Sequence, residues 1–452
     1  MRSWLDVQRS ILSDWIIAEI DLENITPIRV GGYNARPVSD RLGIIEGIRT
    51  QSIKGVWRWW ARAILAGAML SRNIPLPSSI SDLDKEISQL LGSTEASSEF
   101  FIQLAFDKRG AAYITSDNLL NIPRIKLITR SMTKHEMEKI ERYYNKLGLK
   151  LIFGSRKSVR ENDKNAIMFA LSSLIIALIF SGIGSITTRG FGKLSIINLE
   201  TKTHVLKNEI ANLKQLLDKI HQQGSEEGIT NGLKELISVS LNYAANYKSL
   251  GKAGREIRVY KLPKIPTLAL NCTPEVFRVE TICISRRNAI RILECLGKST
   301  MKVEWKRSLG LPITSPGKNL HTWVLGLPRY QRLTGYLPNS EKGKEIRRQS
   351  PIGFTVLKCH EGFAIILYGF LTADLSRLLT GYKNLVLKHI GFHARRRNVT
   401  SVYDDLVTRG LVSTTGRLIQ IDPAMPTEEI YRVCFNEAWE FVKKIIKGGC
   451  CG

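Results

Sequence analysis

The seven cysteines of this 452-residue chain include no C-x-x-C pair, so neither a zinc ribbon nor a thioredoxin-type motif is indicated. Their odd number and the lack of a signal peptide point to a reducing cytoplasm. Histidine is also scarce: His135, His204, His221, His321, His360, His389 and His393 are the full set. Acidic residues are the third shortage. Against 66 Lys and Arg stand only 41 Asp and Glu, for a net charge of +25 and a pI near 9.8. That balance favours a polyanionic partner such as nucleic acid. Long apolar runs are nearly absent too. The one exception, within residues 165–188, is long enough to consider for a membrane. Its tightly apolar part is short, glycines follow at once and no second such run exists, so a helix buried against a sheet is expected, with no membrane partner.

In chain order the patterning reads as strand, helix, strand, strand, helix, strand. The first strand is Trp15–Leu22 and the second Glu99–Asp107. A third falls within 124–129 or 150–153, because 132–147 reads as helical. The apolar helix 165–181 and a strand at 193–199 complete a β-α-β-β-α-β order, the ferredoxin-like arrangement. Leu206, Ile210, Leu213, Leu217 and Ile220 then recur at helical spacing, marking an added helical pair over 201–247. A basic, glycine-containing linker ends at Pro263 and Pro266. A second unit follows: strand 276–284, helix 286–296, strands 351–358 and 363–368, and a closing helix over 427–447 with a frayed Gly-Gly-Cys-Cys-Gly tail. Residues 299–350 read as a long basic loop in which Trp305, Trp323, Tyr330 and Tyr336 interleave with cations. The expected class is α+β, with two tandem ferredoxin-like modules at 1–200 and 262–452 separated by a helical insertion and linker at 201–261.

What stands out is the stretch from Arg49 to Arg62, with three tryptophans and four cations and no acidic residue between Glu46 and Asp82. With Ser52 as N-cap, Ile53, Trp57, Trp60, Ile64 and Ala68 share one helical face. Lys54, Arg58 and Arg62 form an i, i+4, i+8 stripe beside it. Such a stripe is often only a solvated face. Here it lacks a local carboxylate, so it is expected to meet something negative. Trp59 lies at the edge of the core face, where it either packs or stacks on a ligand.

The glycine-rich segment 182–192 fails as a dinucleotide fingerprint, because its glycines follow a helix and open a strand. It is no P-loop, since no Gly-Lys-Ser/Thr closes it. Exposed backbone amides at Gly184, Gly190 and Gly192, with Arg189 adding charge, could instead contact phosphate oxygens. His389 and His393 have the i, i+4 spacing of a helical metal pair, but no third ligand is evident and Arg395, Arg396 and Arg397 follow. No metal or cofactor is expected.

Three segments together resemble the RAMP superfamily of CRISPR proteins. Ile48-Arg49-Thr-Gln-Ser-Ile-Lys54-Gly55-Val-Trp57-Arg58-Trp59-Trp60 is similar to the signature of the large tandem RAMP subunit of type III-B (Cmr) effector complexes, found near the guide RNA 3′ end. Residues 182–192 resemble the superfamily's glycine-rich loop. Arg347-Arg348-Gln-Ser350-Pro351 resembles an Arg-x-Ser-Pro element before a strand in that subunit's second half. The resemblance implies an RNA-binding, non-catalytic subunit with guide RNA and other Cmr subunits as partners, and target RNA as a further candidate. Arg49, Lys54, Arg58, Arg62, Gly184, Arg189, Gly190, Gly192, Arg347 and Arg348 are its expected RNA contacts. The insertion at 201–247 and the segment 299–350 fall outside what the resemblance covers. The alternative it leaves open is a metal-independent RAMP endoribonuclease that processes guide precursor with a histidine as general acid or base.

Overall fold

A computed structural model describes residues 15–31, 37–38, 46–77, 79–106, 110–252, 254, 257–313, 319–327, 329–331, 334–340, 348–380, 385–393 and 396–451. Strand β1 (Ile16–Asn24) alternates as a half-buried strand should: Ala18, Ile20 and Leu22 point inward, Glu19, Asp21 and Glu23 outward. Helices α1 (Thr50–Leu70) and α2 (Ile80–Leu91) follow, then β2 (Phe100–Phe106) and β3 (Ala112–Thr115). Helices α3 (Pro123–Ile128) and α4 (Lys134–Ile140) lead into β4 (Arg142–Lys146), β5 (Gly148–Ser155), helix α5 (Lys164–Phe180) and β6 (Leu194–Thr201). The expected helix over 132–147 thus covers both α4 and β4.

The first sheet has the order β2-β5-β1-β6, antiparallel throughout. This is the ferredoxin-like order, with α1 and α5 in the crossover positions. Its outer face carries ion pairs, Lys150 with Glu19 at 3.1 Å and Lys202 with Glu200 at 2.9 Å. A face that holds Glu19, Asp21 and Glu200 is poorly suited to a polyanion. Helix α5 is buried from Ile167 to Phe180. Among the described residues, Glu161–Phe180 is the one helix long and apolar enough to cross a membrane, and it lies inside the fold with 78% of its window buried. Its last carbonyls are satisfied from two sides. The buried Lys193 ammonium donates to Phe180 O (2.7 Å) and Ser181 O (3.0 Å), and Thr355 Oγ1 donates to Ile179 O.

The insertion is a helical pair, α6 (Lys207–Gln222) and α7 (Glu226–Tyr247), and the five leucines and isoleucines expected on its apolar face are all buried. A short parallel pair, β7 (Ile257–Arg258) and β8 (Cys272–Thr273), precedes strand β9 (Phe277–Ser285) and helices α8 (Ala289–Ser299) and α9 (Lys302–Ser308). Next come β10 (Arg329–Gln331), β11 (Thr334–Ser340), β12 (Ile352–Cys359), β13 (Gly362–Phe370) and α10 (Ala373–Thr380). The chain ends with β14 (Leu385–His393), β15 (Arg396–Ser401), α11 (Val402–Arg409), β16 (Leu411–Val412), β17 (Leu418–Ile419) and α12 (Thr427–Cys450).

The second sheet, β12-β13-β9, repeats the ferredoxin-like order without a fourth strand among the described residues. The edge of β9 is met by α7 instead: Thr281 N–H donates to Thr230 Oγ1 at 2.9 Å, and that hydroxyl donates to Thr281 Oγ1 at 3.0 Å. The insertion thus satisfies an otherwise open sheet edge. One face of this sheet (Val279, Ile366, Tyr368, Phe370) joins the core of α1, α5 and α7. The other (Ile282, Phe354, Ile365, Leu367) packs on α8 and α12. Neither of the two boundaries expected from the sequence is a break in the core.

Two expectations give way here. Residues 299–350 hold α9, β10 and β11, the last in a third sheet of order β10-β11-β14-β15. Trp305, Trp323 and Tyr336 anchor it from inside, with Trp305 stacked on Phe441 at 4.5 Å. The C-terminal tail is also no frayed end. Helix α12 runs to Cys450, Ser285 Oγ donates to Cys450 O at 2.8 Å, and Cys283 pairs with Cys451 as a disulfide.

Candidate functional site

Helix α1 organises the site. It starts at Thr50, two residues ahead of the expected cap, with Arg49 in the N-cap position. Ile53, Trp57, Trp60, Ile64 and Ala68 are all buried, as their spacing requires. The indoles also hold the helix in register. Trp57 Nε1 donates to Ala170 O (3.0 Å) and Ser173 Oγ (2.9 Å), and Trp60 Nε1 to Ser181 Oγ (2.7 Å). Trp59 packs edge-on against Trp60 and Phe370, at 5.1 and 5.3 Å between ring centroids, and remains partly exposed.

The cationic stripe divides. Arg62 Nη1 lies 2.7 Å from both carboxylate oxygens of Asp84, and Arg58 Nη2 lies 3.3 Å from Oδ1. Arg58 also donates to Gly92 O, at the C-terminal end of α2. The missing local carboxylate is supplied by the next helix, so these two arginines fasten α2 to α1. Lys54 differs. Burial, with Arg156 and Arg58 nearby, pushes its ammonium below the usual lysine range. Neither Lys54 nor Arg156 makes an ion pair among the described residues. The sequence reading missed Arg156, whose only signal was its place directly after a strand. Arg49 keeps a half-exposed guanidinium 3.3 Å from Glu46.

Residues 26–29 and 182–192 do come together. Thr26 Oγ1 donates to Gly190 O at 2.7 Å and accepts from Lys193 N at 2.9 Å. Ser185 N donates to Arg29 O at 2.8 Å. Two of the three amides expected to face phosphate are already engaged, Gly190 N with Thr187 O (3.1 Å) and Gly192 N with Pro27 O (3.0 Å). The glycines serve close packing. At Gly192 (φ +63) a Cβ would fall 1.9 Å from Ile183 O, and at Gly184 (φ +93) 2.5 Å from Arg29 O. Arg189 turns toward the second sheet, where Nη2 donates to Leu325 O at 2.7 Å and its backbone bridges Phe354.

A cavity of about 450 Å³ opens between helix α1, the 182–192 loop and the second sheet. Gly55, Val56 and Trp59 of α1 form one wall, Thr187 and Thr188 a second, and Arg348, Gln349 and Ser350 a third. The three segments singled out in the sequence thus converge on one cleft, with an aromatic floor that includes Tyr368 and Phe370. Arg348 is half-buried, its Nε 3.5 Å from Asp374 Oδ2. Arg347 lies outside the described residues. The cleft occupies the flank of α1 away from the Arg58–Arg62 stripe.

Histidine is absent from the described lining of the cleft. His389 and His393 sit on strand β14, not a helix. Four strand residues span about 13 Å, too far for one ion. Among the described residues no group of three metal-binding side chains is found. His321 is buried beside Tyr336, and burial, with Lys302 and His389 adding to it, pushes its imidazole down to about 3. Unfolded, the ring titrates near 6.5. The unfolded chain therefore binds the extra proton between those values, and stability falls as pH drops through that window. Unfolding in urea is expected to lose about 2 kcal/mol between pH 7 and pH 5, and His321→Leu to flatten that slope.

Comparison with known proteins agrees with this architecture. Residues 21–195 match the model of the RAMP superfamily. The CRISPR system CMR subunit Cmr1 of Saccharolobus solfataricus is 24% identical over 260 residues, an alignment covering 41% of this chain. The chain spans 55% of the length of that curated relative. Two cryo-EM structures of the type III-B Cmr-beta assembly contain a chain of similar fold. The one bound to cognate target RNA and AMPPnP in the presence of ssDNA has TM-score 0.55 and 15% identity, covering 79% of this chain and 94% of that one. The one bound to cognate target RNA alone has TM-score 0.52 and 12% identity, covering 95% and 100%. Residues 21–195, from within β1 into β6, are thus similar to the RAMP superfamily, in a chain similar to Cmr1.

Proposed function

We propose that this protein is a non-catalytic RNA-binding subunit of a type III-B CRISPR interference complex. It acts in cytoplasmic antiviral defence and holds guide RNA, or the guide–target duplex, through phosphates. The observation that carries the proposal is the cleft beside the second sheet, where α1, the 182–192 loop and residues 348–350 converge on an aromatic floor. On the other flank of α1, Lys54 and Arg156 repel one another without a carboxylate between them, an arrangement that a bound phosphate relieves. The likeness to chains of assemblies bound to cognate target RNA supports the same ligand class, and other Cmr subunits are the expected protein partners. The RNA contacts assigned are Arg49, Lys54, Arg156 and Arg348. Arg58, Arg62 and Arg189 have internal partners and are assigned to the scaffold.

Phosphate contacts give affinity that falls with salt and ignores sequence, as a subunit serving every guide requires. Combining Lys54→Gln, Arg156→Gln and Arg348→Gln should flatten the log–log salt dependence of single-stranded RNA binding by about 2. Fluorescence anisotropy across a salt series reads this, and an unchanged slope would remove these three cations from the RNA path. RNA incubated with the purified protein in EDTA should be recovered intact. Cleavage would replace this reading with the ribonuclease one.

A further inference from the structure

The linker between the inserted helices and the second sheet has its own surface. From Ile257 to Ile265, the side chains of Ile257, Val259, Leu262 and Ile265 are buried, while Arg258, Tyr260, Lys261 and Lys264 are exposed. Tyr260 is 90% exposed, far more than any other exposed large hydrophobic residue described. This is not a loose loop. Val259 N donates to Thr273 O at 2.9 Å, Leu262 N to Glu428 Oε2 at 2.8 Å, and Pro263 O accepts from Ala373 N at 2.8 Å. The backbone is fixed on both sides, so the ring is held out from a tethered bend just beyond β7. Arg258, Lys261 and Lys264 make no ion pair among the described residues. Two residues beyond Lys264, Pro266 lines the cleft.

We infer that Arg258–Lys264 is a stacking platform for single-stranded RNA that continues the cleft, with Tyr260 under one base and the flanking cations on neighbouring phosphates. The inference rests on the RNA-binding reading above and adds a second, aromatic contact to it. An exposed ring flanked by unpaired cations suits a strand that offers both a π-face and negative charge. Every base has such a face, so the contact is indifferent to sequence. A protein surface rich in carboxylates would match the cations but leave the ring without a role.

The test is anisotropy binding of single-stranded oligouridylate to the full chain. Tyr260→Ala should weaken binding about tenfold with an unchanged melting temperature, because the ring packs against nothing. Tyr260→Trp should restore binding. If the native chain binds and Tyr260→Ala binds equally well, the platform is wrong and the cleft reading stands. If Tyr260→Ala weakens binding but Tyr260→Trp fails to restore it, stacking is wrong. If the native chain binds no RNA, both readings fall. A Tyr260→Ala protein that keeps its RNA but drops a complex subunit would mark the surface as a protein contact and overturn the platform.

Discussion

Arg29→Ala should lower the free energy of unfolding by about 3–5 kcal/mol, the usual cost of leaving a buried charge without its partner. Arg29 and Glu141 form a forked pair, Nη2 to Oε1 at 2.7 Å and Nε to Oε2 at 3.0 Å, with side chains only 11% and 1% exposed. Tyr143 O–H donates to the same carboxylate at 3.0 Å. Burial, then the Glu141 charge, push that phenol far above its ordinary range, so it stays a donor. Without Arg29, Glu141 keeps one neutral partner in a site closed to water. Arg29→Lys should rescue little, because an ammonium cannot reproduce the two parallel bonds. Pairing Arg29→Ala with Glu141→Gln should recover part of the loss, since the buried charge is then gone. Urea unfolding at neutral pH reads all three variants. A loss below about 1 kcal/mol for Arg29→Ala would mean that the pair behaves as a surface pair. The site feels this too. Arg29 O receives Ser185 N and its Nη1 lies 3.3 Å from Ser185 Oγ, so the pair also anchors the 182–192 loop.

Periodicity made the first sheet and its helices legible. Trp57 and Trp60 fell on a face that is buried, the uncharged run became a core helix, and the inserted helices kept their apolar spacing. These are local signals, carried by neighbours along the chain. What the sequence hid were partners distant along it. Asp84 is 22 residues from Arg62 and nothing in the pattern joins them. Gly184, Gly190 and Gly192 looked like exposed amides, but Gly192 N turns to Pro27 O because residues 26–29 lie alongside, and Gly190 N turns to Thr187 O within the loop. Strand β11 (Thr334–Ser340) contains Gly335 and Pro338 and lacks apolar alternation, so its stretch read as loop. Its identity comes from pairing with β14. The Gly-Gly-Cys-Cys tail has poor helix propensity, and only the anchorage at Ser285 and Cys283 explains how the helix reaches Cys450. The missing fourth strand of the second sheet follows the same logic, because α7 takes its place along β9.

Arg58→Ala combined with Arg62→Ala should lower stability by about 3 kcal/mol and leave the salt slope of RNA binding unchanged. The two side chains are 24% and 20% exposed, so solvent screens their bonds to Asp84 only in part. Losing two charge-assisted bonds, and the packing of two long stems, accounts for that cost. Asp84→Asn should reproduce much of it without altering either arginine, because the loss lies in the pair and not in the cations alone. If the stripe faced RNA, the outcome would be inverted. The double variant would then fold with native stability, its salt slope would flatten by about 1.4, and Asp84→Asn would strengthen binding by freeing two cations. Urea unfolding and anisotropy, run on the same three proteins, separate these outcomes. Lys54→Gln is the internal control. It lies one turn before Arg58 on the same stripe, has no carboxylate partner among the described residues, and is pressed by Arg156 and Arg58. Its removal should leave stability equal or slightly higher and flatten the slope by about 0.7. One helix face thus divides after its first turn, with the charge of Lys54 available to a phosphate and the two charges beyond it committed to Asp84.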